Sequence, residues 1–117
     1  MSFEKFNKGR AEPLAREVSV KTYDRSGKIY IGKELWENVG KPEYLVMYFD
    51  KKQNLVGMKP AGDKTNAYTV NNYKQTGTRD VAPMAFIKKY NIEDGRYDAT
   101  VQDDMIIFEV DRKEVSK

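Results

Sequence analysis

The sequence contains no cysteine and no histidine among its 117 residues. A disulfide framework is therefore impossible, and so is zinc held by thiolate or imidazole. Lack of histidine also removes the commonest general base, and with it the Ser–His and Cys–His nucleophile arrangements. No apolar run approaches the ~20 residues needed to cross a bilayer as a helix. The opening residues, Met1-Ser2-Phe3-Glu4-Lys5, carry no apolar stretch behind a basic cap, so no secretory signal is expected. These absences lead to the expectation of a cytoplasmic protein without a membrane partner.

What is present points to a folded domain. Charged residues make up 33% of the chain and apolar residues 39%, a polar balance for a globular protein. Eight Tyr, five Phe and one Trp supply core material that disordered chains lack. The length suits one domain. The formal net charge of +3 permits nucleic-acid binding without requiring it. Its distribution is uneven. Residues 18–62 hold eight Lys or Arg against five Asp or Glu, while residues 63–117 hold nine against ten. A polyanion surface should therefore draw more on the first half.

Residues 1–17 are polar, without a clear period, and read as an N-terminal arm. Val18-Ser19-Val20-Lys21-Thr22-Tyr23 alternates apolar and polar, as a half-buried strand does. Asp24-Arg25-Ser26-Gly27 has turn chemistry, with Gly27 expected to supply a positive φ. Lys28-Ile29-Tyr30-Ile31-Gly32 reads as a second strand. A short helix over Lys33–Val39 places Leu35 and Val39 on one face, and Gly40 is positioned to end it. Tyr44–Phe49 and Leu55–Met58 flank a polar turn and read as a β-hairpin. Pro60-Ala61-Gly62-Asp63 is the best linker candidate.

The second half repeats this order. A strand is expected over Ala67–Tyr73, a turn ending at Gly77, a weaker strand over Thr78–Val81 and a helix over Met84–Tyr90 with Phe86 and Tyr90 on one face. A final hairpin joins Tyr97–Val101 to Met105–Val110. Residues 111–117 read as a charged tail. At an offset of 50, Val20 falls on Val70, Tyr23 on Tyr73, Gly27 on Gly77 and Ile31 on Val81. A repeat of about 50 residues predicts two copies of one supersecondary unit, residues 18–60 and 67–110.

The run Val20-Lys21-Thr22-Tyr23-Asp24-Arg25-Ser26-Gly27-Lys28-Ile29-Tyr30-Ile31-Gly32-Lys33-Glu34-Leu35-Trp36-Glu37-Asn38-Val39-Gly40 resembles the N-terminal domain of the SpoVT/AbrB family. That pattern is strand, acidic turn, Gly-Arg/Lys, apolar strand, Pro-x-Glu-Leu, short helix and Gly. The likeness covers residues 18–60 well and 67–110 more weakly. It implies a mostly β fold with two short helices, in which swapped hairpins build one barrel. With both copies in one chain, the barrel would form as a single-chain pseudo-dimer. Burial gives the physical reason, since one unit leaves an apolar face that the second covers. The sequence departs from the family at Gly32, where Pro is usual, and at Trp36 and Glu37, where DNA-binding members often carry Arg. The second copy has Gly77-Thr78-Arg79 in place of the Gly-Arg/Lys pair.

The resemblance implies a DNA-binding transcriptional regulator or an antitoxin-like module. The alternative is a non-enzymatic swapped-hairpin scaffold that binds a protein or small ligand, such as a mobile-element inhibitor or decoy. Polyanion binding is expected first at Lys21, Arg25 and Lys28, where basic and aromatic residues interleave on a strand–turn–strand. Lys74 and Arg79 follow from the pseudo-two-fold alone. The competing reading of these cations is a solvated sheet face, and that reading is preferred for Lys88-Lys89. Trp36 is either a binding anchor or core. Tyr23 and Tyr73 either stack on bases or pack in matched core positions, with matched packing preferred. Asp98, Asp103-Asp104 and Glu93-Asp94 lack the fixed oxygen-ligand spacing of a calcium loop. No metal or other cofactor is expected, no catalytic set is visible, and the chain could act as a monomer or a further homo-oligomer.

Overall fold

A computed structural model describes residues 16–113. Its first strand, β1 (Glu17–Thr22), turns Val18 and Val20 inward, where both are buried. β2 (Gly27–Ile31) does the same with Ile29 and Ile31 and presents Lys28 and Tyr30 on its other face. The two strands pair antiparallel with Val20 opposite Ile29 and Lys21 opposite Lys28. A one-residue slip would send every one of these β-branched side chains to solvent, so the alternation fixes the register.

Helix α1 (Lys33–Asn38) follows and buries Leu35. Six residues are too few to be helical alone, so packing must hold the segment. It ends in a Schellman motif: Lys41 N donates to Trp36 O at 2.9 Å and Gly40 N to Glu37 O at 3.0 Å. Gly40 supplies the left-handed residue at φ 89°. Helix α2 (Met84–Lys89) closes the same way, through Ile92 N to Ile87 O at 3.1 Å and Asn91 N to Lys88 O at 3.3 Å. Here Asn91, at φ 53°, takes the place of glycine.

β3 (Tyr44–Asp50) and β4 (Leu55–Pro60) form the first hairpin, its turn held by Asp50 Oδ1 accepting from Lys52 N at 2.9 Å. β8 (Gly95–Gln102) and β9 (Met105–Glu109) form the second. Only Asp103 and Asp104 separate its closing pair, at φ 52° and 59°, the two positive values a type I′ turn requires.

The strand expected over 67–73 is divided. β5 (Tyr68–Thr69) pairs with β3, and β6 (Asn71–Tyr73) pairs with β7 (Thr78–Val81). The break falls at Val70, whose N–H donates instead to Glu43 O at 2.8 Å. The sheet order is β5-β3-β4-β9-β8-β1-β2-β7-β6. Its two outer members are consecutive in the chain, so the antiparallel sheet curls into a nearly closed barrel.

The hairpins are exchanged between the halves. β8 lies on β1 and β5 lies on β3, each a contact of one half with the other. β2 pairs with β7 and β4 with β9, and these two seams lie where a two-fold between the halves would pass. The mostly β pseudo-dimer barrel with two short helices is thus the observed architecture. The core draws on both halves, with Ile29, Leu45 and Met58 against Val81, Ile106 and Phe108, all buried.

The two landmark glycines are not equivalent. Thr22 pairs with Gly27 and Tyr73 with Thr78, so loops 23–26 and 74–77 correspond and Gly27 matches Thr78. Gly27 is a buried strand residue without positive φ, contrary to its expected turn role. A Cβ there would stand 2.8 Å from Met84 Sδ and 3.1 Å from Ile87 Cδ1. Gly77 is a true turn glycine, at φ 71° with open space around it.

Candidate functional site

The outward face of β1, β2, β7 and β6 gathers most of the expected site. One row across the four strands runs Ser19, Tyr30, Asp80 and Asn71. In the next row Lys21 lies directly opposite Lys28. Two like charges facing each other across a sheet repel. Nearby groups offset this: the Lys21 ammonium lies 5.7 Å from the Tyr23 ring centroid. Lys28 Nζ sits 5.9 Å from the Tyr73 ring centroid and 3.8 Å from Asp80 Oδ2. Arg25 and Lys74 are exposed on the two four-residue loops that border this face.

Arg79 is placed elsewhere. It is 5% exposed, donates from Nη1 to Ile31 O at 2.8 Å and from Nη2 to Gly77 O, and lies 5.2 Å from the Trp36 ring centroid. A guanidinium held this way is a cross-half tie and is not presented to a phosphate. Trp36 in turn donates from Nε1 to Pro42 O at 3.2 Å and packs half-buried against the core.

Tyr23 and Tyr73 are 43% and 40% exposed, so the preference for matched core packing does not hold. The Tyr23 and Tyr30 hydroxyls are 3.4 Å apart. That hydrogen bond, burial and the negative charge of Asp80 together raise the Tyr30 phenol above its ordinary value of 10.0. Asp80 itself is fully buried. Asn71 Nδ2 donates to its Oδ1 at 3.0 Å, and Lys28 is the cation beside its Oδ2. The middle of the basic face therefore contains a buried carboxylate, which lowers the positive potential that Lys28 contributes.

A contact absent from the sequence reading fixes the base of the first loop. The Asp94 carboxylate accepts from Thr22 N at 3.1 Å and from Thr22 Oγ1 at 2.8 Å. Between this loop and α2 lies a cleft of about 480 Å³, lined by Tyr23, Asp24, Ile87, Lys88 and Lys113 among others. Lys88 thus faces a concavity, whereas Lys89 lies over the Tyr90 ring, 5.5 Å from its centroid.

The outer face of the β3-β4-β9 sheet carries an apolar patch, bordered by Asp50, Lys59 and Glu109. Tyr48, 50% exposed, is followed across the strands by Gly57 and Ile107, and Leu55 and Met105 complete a shallow depression of about 210 Å³. The Met105 thioether packs directly over Gly57, so a Cβ there would have to displace it.

The chain matches no protein-family model, no curated protein and no solved structure. Among the described residues no helix is long and apolar enough to cross a membrane.

Proposed function

We propose that the chain is a cytoplasmic, non-enzymatic DNA-binding regulator, or an antitoxin-like module of the same type, built on a swapped-hairpin barrel like that of the SpoVT/AbrB family. The observation that carries this reading is the pairing of Lys21 with Lys28 on the outer face, bordered by loops bearing Arg25 and Lys74. The face lies over the β2–β7 seam, so cations from both halves approach one pseudo-two-fold. Duplex DNA has a matching two-fold, which is why dimeric readers use half-sites. The cations differ between halves, so the preferred duplex is asymmetric or loosely specified. Arg79 is no longer in the set.

The test is binding to a random-sequence duplex across a salt series. Three or four neutralised phosphates give a log–log slope of about −2.7 to −3.6, or roughly a hundredfold loss between 50 and 200 mM salt. Lys21→Gln with Arg25→Gln should remove most affinity and flatten the slope by about 2. Lys51→Gln with Lys52→Gln, on the β3–β4 turn, should leave both nearly unchanged. Lys28 is a poor first choice for mutation because its loss strands the buried Asp80. Greater loss in the Lys51/Lys52 variant would place the interface elsewhere.

A second reading rests on the apolar depression around Tyr48, Leu55 and Ile107. It makes the chain a scaffold for a protein or small ligand, such as an inhibitor or decoy from a mobile element. No duplex binding at low salt favours this reading.

A further inference from the structure

The outward residues of β3, β4 and β9 form three rows across the strands. The middle row is Tyr48, Gly57 and Ile107. To one side of it, Val46 lies opposite Lys59. To the other side, Leu55 stands between Asp50 and Glu109. Lys59, Asp50 and Glu109 are exposed, while Val46, Leu55 and Ile107 are half-buried. The patch is thus apolar in the middle, basic at one end and acidic at the other. Outward rows in a strand are about 7 Å apart, so Lys59 and the two carboxylates stand about 14 Å apart and cannot pair within one chain. The hairpin tips repeat the asymmetry. Lys51 and Lys52 lie beyond the acidic row, and Asp103 and Asp104 lie beyond the Lys59 row.

Each of these strands is hydrogen-bonded on both sides, so the surface offers a face and no edge. A second sheet covers such a face by stacking on it. Two copies related by a two-fold axis in the plane of contact can meet in two ways. With the axis along the strands, Lys59 meets Lys59 and Asp50 meets Glu109, so like charges face each other. With the axis across the strands, along the middle row, the two ends exchange. Lys59 of each copy then stands over Leu55 of the other, between its Asp50 and Glu109. The lysine tip of each first hairpin turns toward the aspartate tip of the other copy's second hairpin. The patch is self-complementary in this second arrangement alone, as an isologous contact requires.

We propose that this face joins two copies of the chain, with the two-fold axis along the Tyr48–Gly57–Ile107 row and Lys59 paired with Asp50 and Glu109 across the interface. Burial of Tyr48, Leu55 and Ile107 drives the contact, and the charges set its orientation. Three strands by three rows cover roughly 14 by 20 Å. That is well below the ~800 Å² per partner of a standard stable interface, so the dimer is weak and forms with rising concentration. The inference goes beyond the DNA reading and does not depend on it. β4 stands four places from β2 in the nine-stranded order, so the basic face stays uncovered in the dimer.

The experiment is sedimentation equilibrium of the full chain from about 10 μM to 1 mM, because a weak dimer shows itself by mass action. The average mass should rise from one chain toward two. Lys59→Glu places a third carboxylate between Asp50 and Glu109 of the other copy and should weaken association at least tenfold. Glu109→Lys should weaken it by a similar factor. Asp50 is left in place because its carboxylate holds the β3–β4 turn. An equal mixture of the two variants should associate more tightly than either alone, since the exchanged signs are opposite again. Thermal unfolding of each variant confirms that these exposed substitutions leave the fold intact. A mass of one chain at every concentration would overturn the dimer. A dimer indifferent to Lys59→Glu would place the contact elsewhere and overturn it too. A mixture that associates no better than the separate variants would overturn the pairing of Lys59 with the acidic row. None of these results bears on duplex binding, which the salt series measures at concentrations where the chain is monomeric.

Discussion

Arg79 and Tyr30 show how single side chains on neighbouring strands take opposite parts. Arg79 satisfies the Ile31 and Gly77 carbonyls from inside the fold. Arg79→Met keeps the length and apolar bulk but leaves those carbonyls without their charged donor. Loss of about 2–3 kcal/mol is expected, read as a lower urea midpoint at unchanged slope. DNA affinity of the folded variant should hold. If binding falls while stability stays, Arg79 belongs to the interface after all. Tyr30 gives a pH signature. Its phenol is raised above 10.0 by the hydrogen bond to Tyr23, by burial and by nearby negative charge. A folded-state value above the unfolded one means that the fold favours the neutral phenol. The stabilisation is fully present below the unfolded value and is lost as pH rises through the folded one. The thermal midpoint should therefore decline as pH climbs from about 10 upward, and Tyr30→Phe should shrink that decline. Part should remain, because burial also raises Tyr97. A Tyr30→Phe variant with the full alkaline loss would remove Tyr30 as its source.

At the scale of elements, α2 depends on an aromatic cluster. Phe49 of β3 stacks on Tyr90 at 4.2 Å between centroids and meets Phe86 edge-on at 6.1 Å. Such pairs add about 0.5–1.5 kcal/mol each beyond burial. Phe49→Ala removes both and should cost about 3 kcal/mol. The loss should appear first as faster hydrogen exchange at the amides of Ile87 and Tyr90, while Val20 and Ile29 in the β1–β2 ladder stay protected. Uniform acceleration everywhere would mean that the cluster supports the whole barrel instead. The strands were legible because Val18/Val20 and Ile29/Ile31 alternate with polar residues, and the end of α1 because Gly40 follows its last apolar position. Asn91 performs the same service for α2 without announcing it, since asparagine is common in any loop. The face of α2 was only half legible: Phe86 and Tyr90 do meet, but Ile87 is the buried residue. In the candidate site, Lys21, Arg25 and Lys74 are exposed, as their polar surroundings imply. Arg79 was not legible because its acceptor, the Ile31 carbonyl, lies 48 residues away. Asp94 was missed for the same reason, since its partner Thr22 lies 72 residues away. The split of the expected 67–73 strand was hidden too. Val70 is an ordinary strand former, and only the register of the neighbouring strand β3, which brings the Glu43 carbonyl to its N–H, shows where the chain leaves β3 for β7.

For the whole molecule, the exchange of hairpins decides how the chain comes apart. Neither half owns a complete sheet. β1 has β2 on one side and β8 on the other, and β4 lies between β3 and β9. Removing residues 67–110 would therefore expose the inner faces of Val18, Ile29 and Leu45 together, and what is left could not bury them again. Unfolding should accordingly be a single transition, with far- and near-ultraviolet circular dichroism tracing the same curve. The exposed loop at residues 62–66 offers a sharper check, because no strand crosses it. A protease site placed there and then cut should leave both pieces associated under native conditions, eluting as one species of unchanged size. The four inter-half pairings still hold them, and only the covalent tether is gone. Stability of the nicked form should become concentration-dependent, as for any complex whose parts must find each other. Two pieces that separate on dilution and each keep cooperative unfolding would show that the halves are independent domains. In that case the shared face bearing Lys21, Lys28 and Lys74 would lose its basis, because it exists only where β2 meets β7.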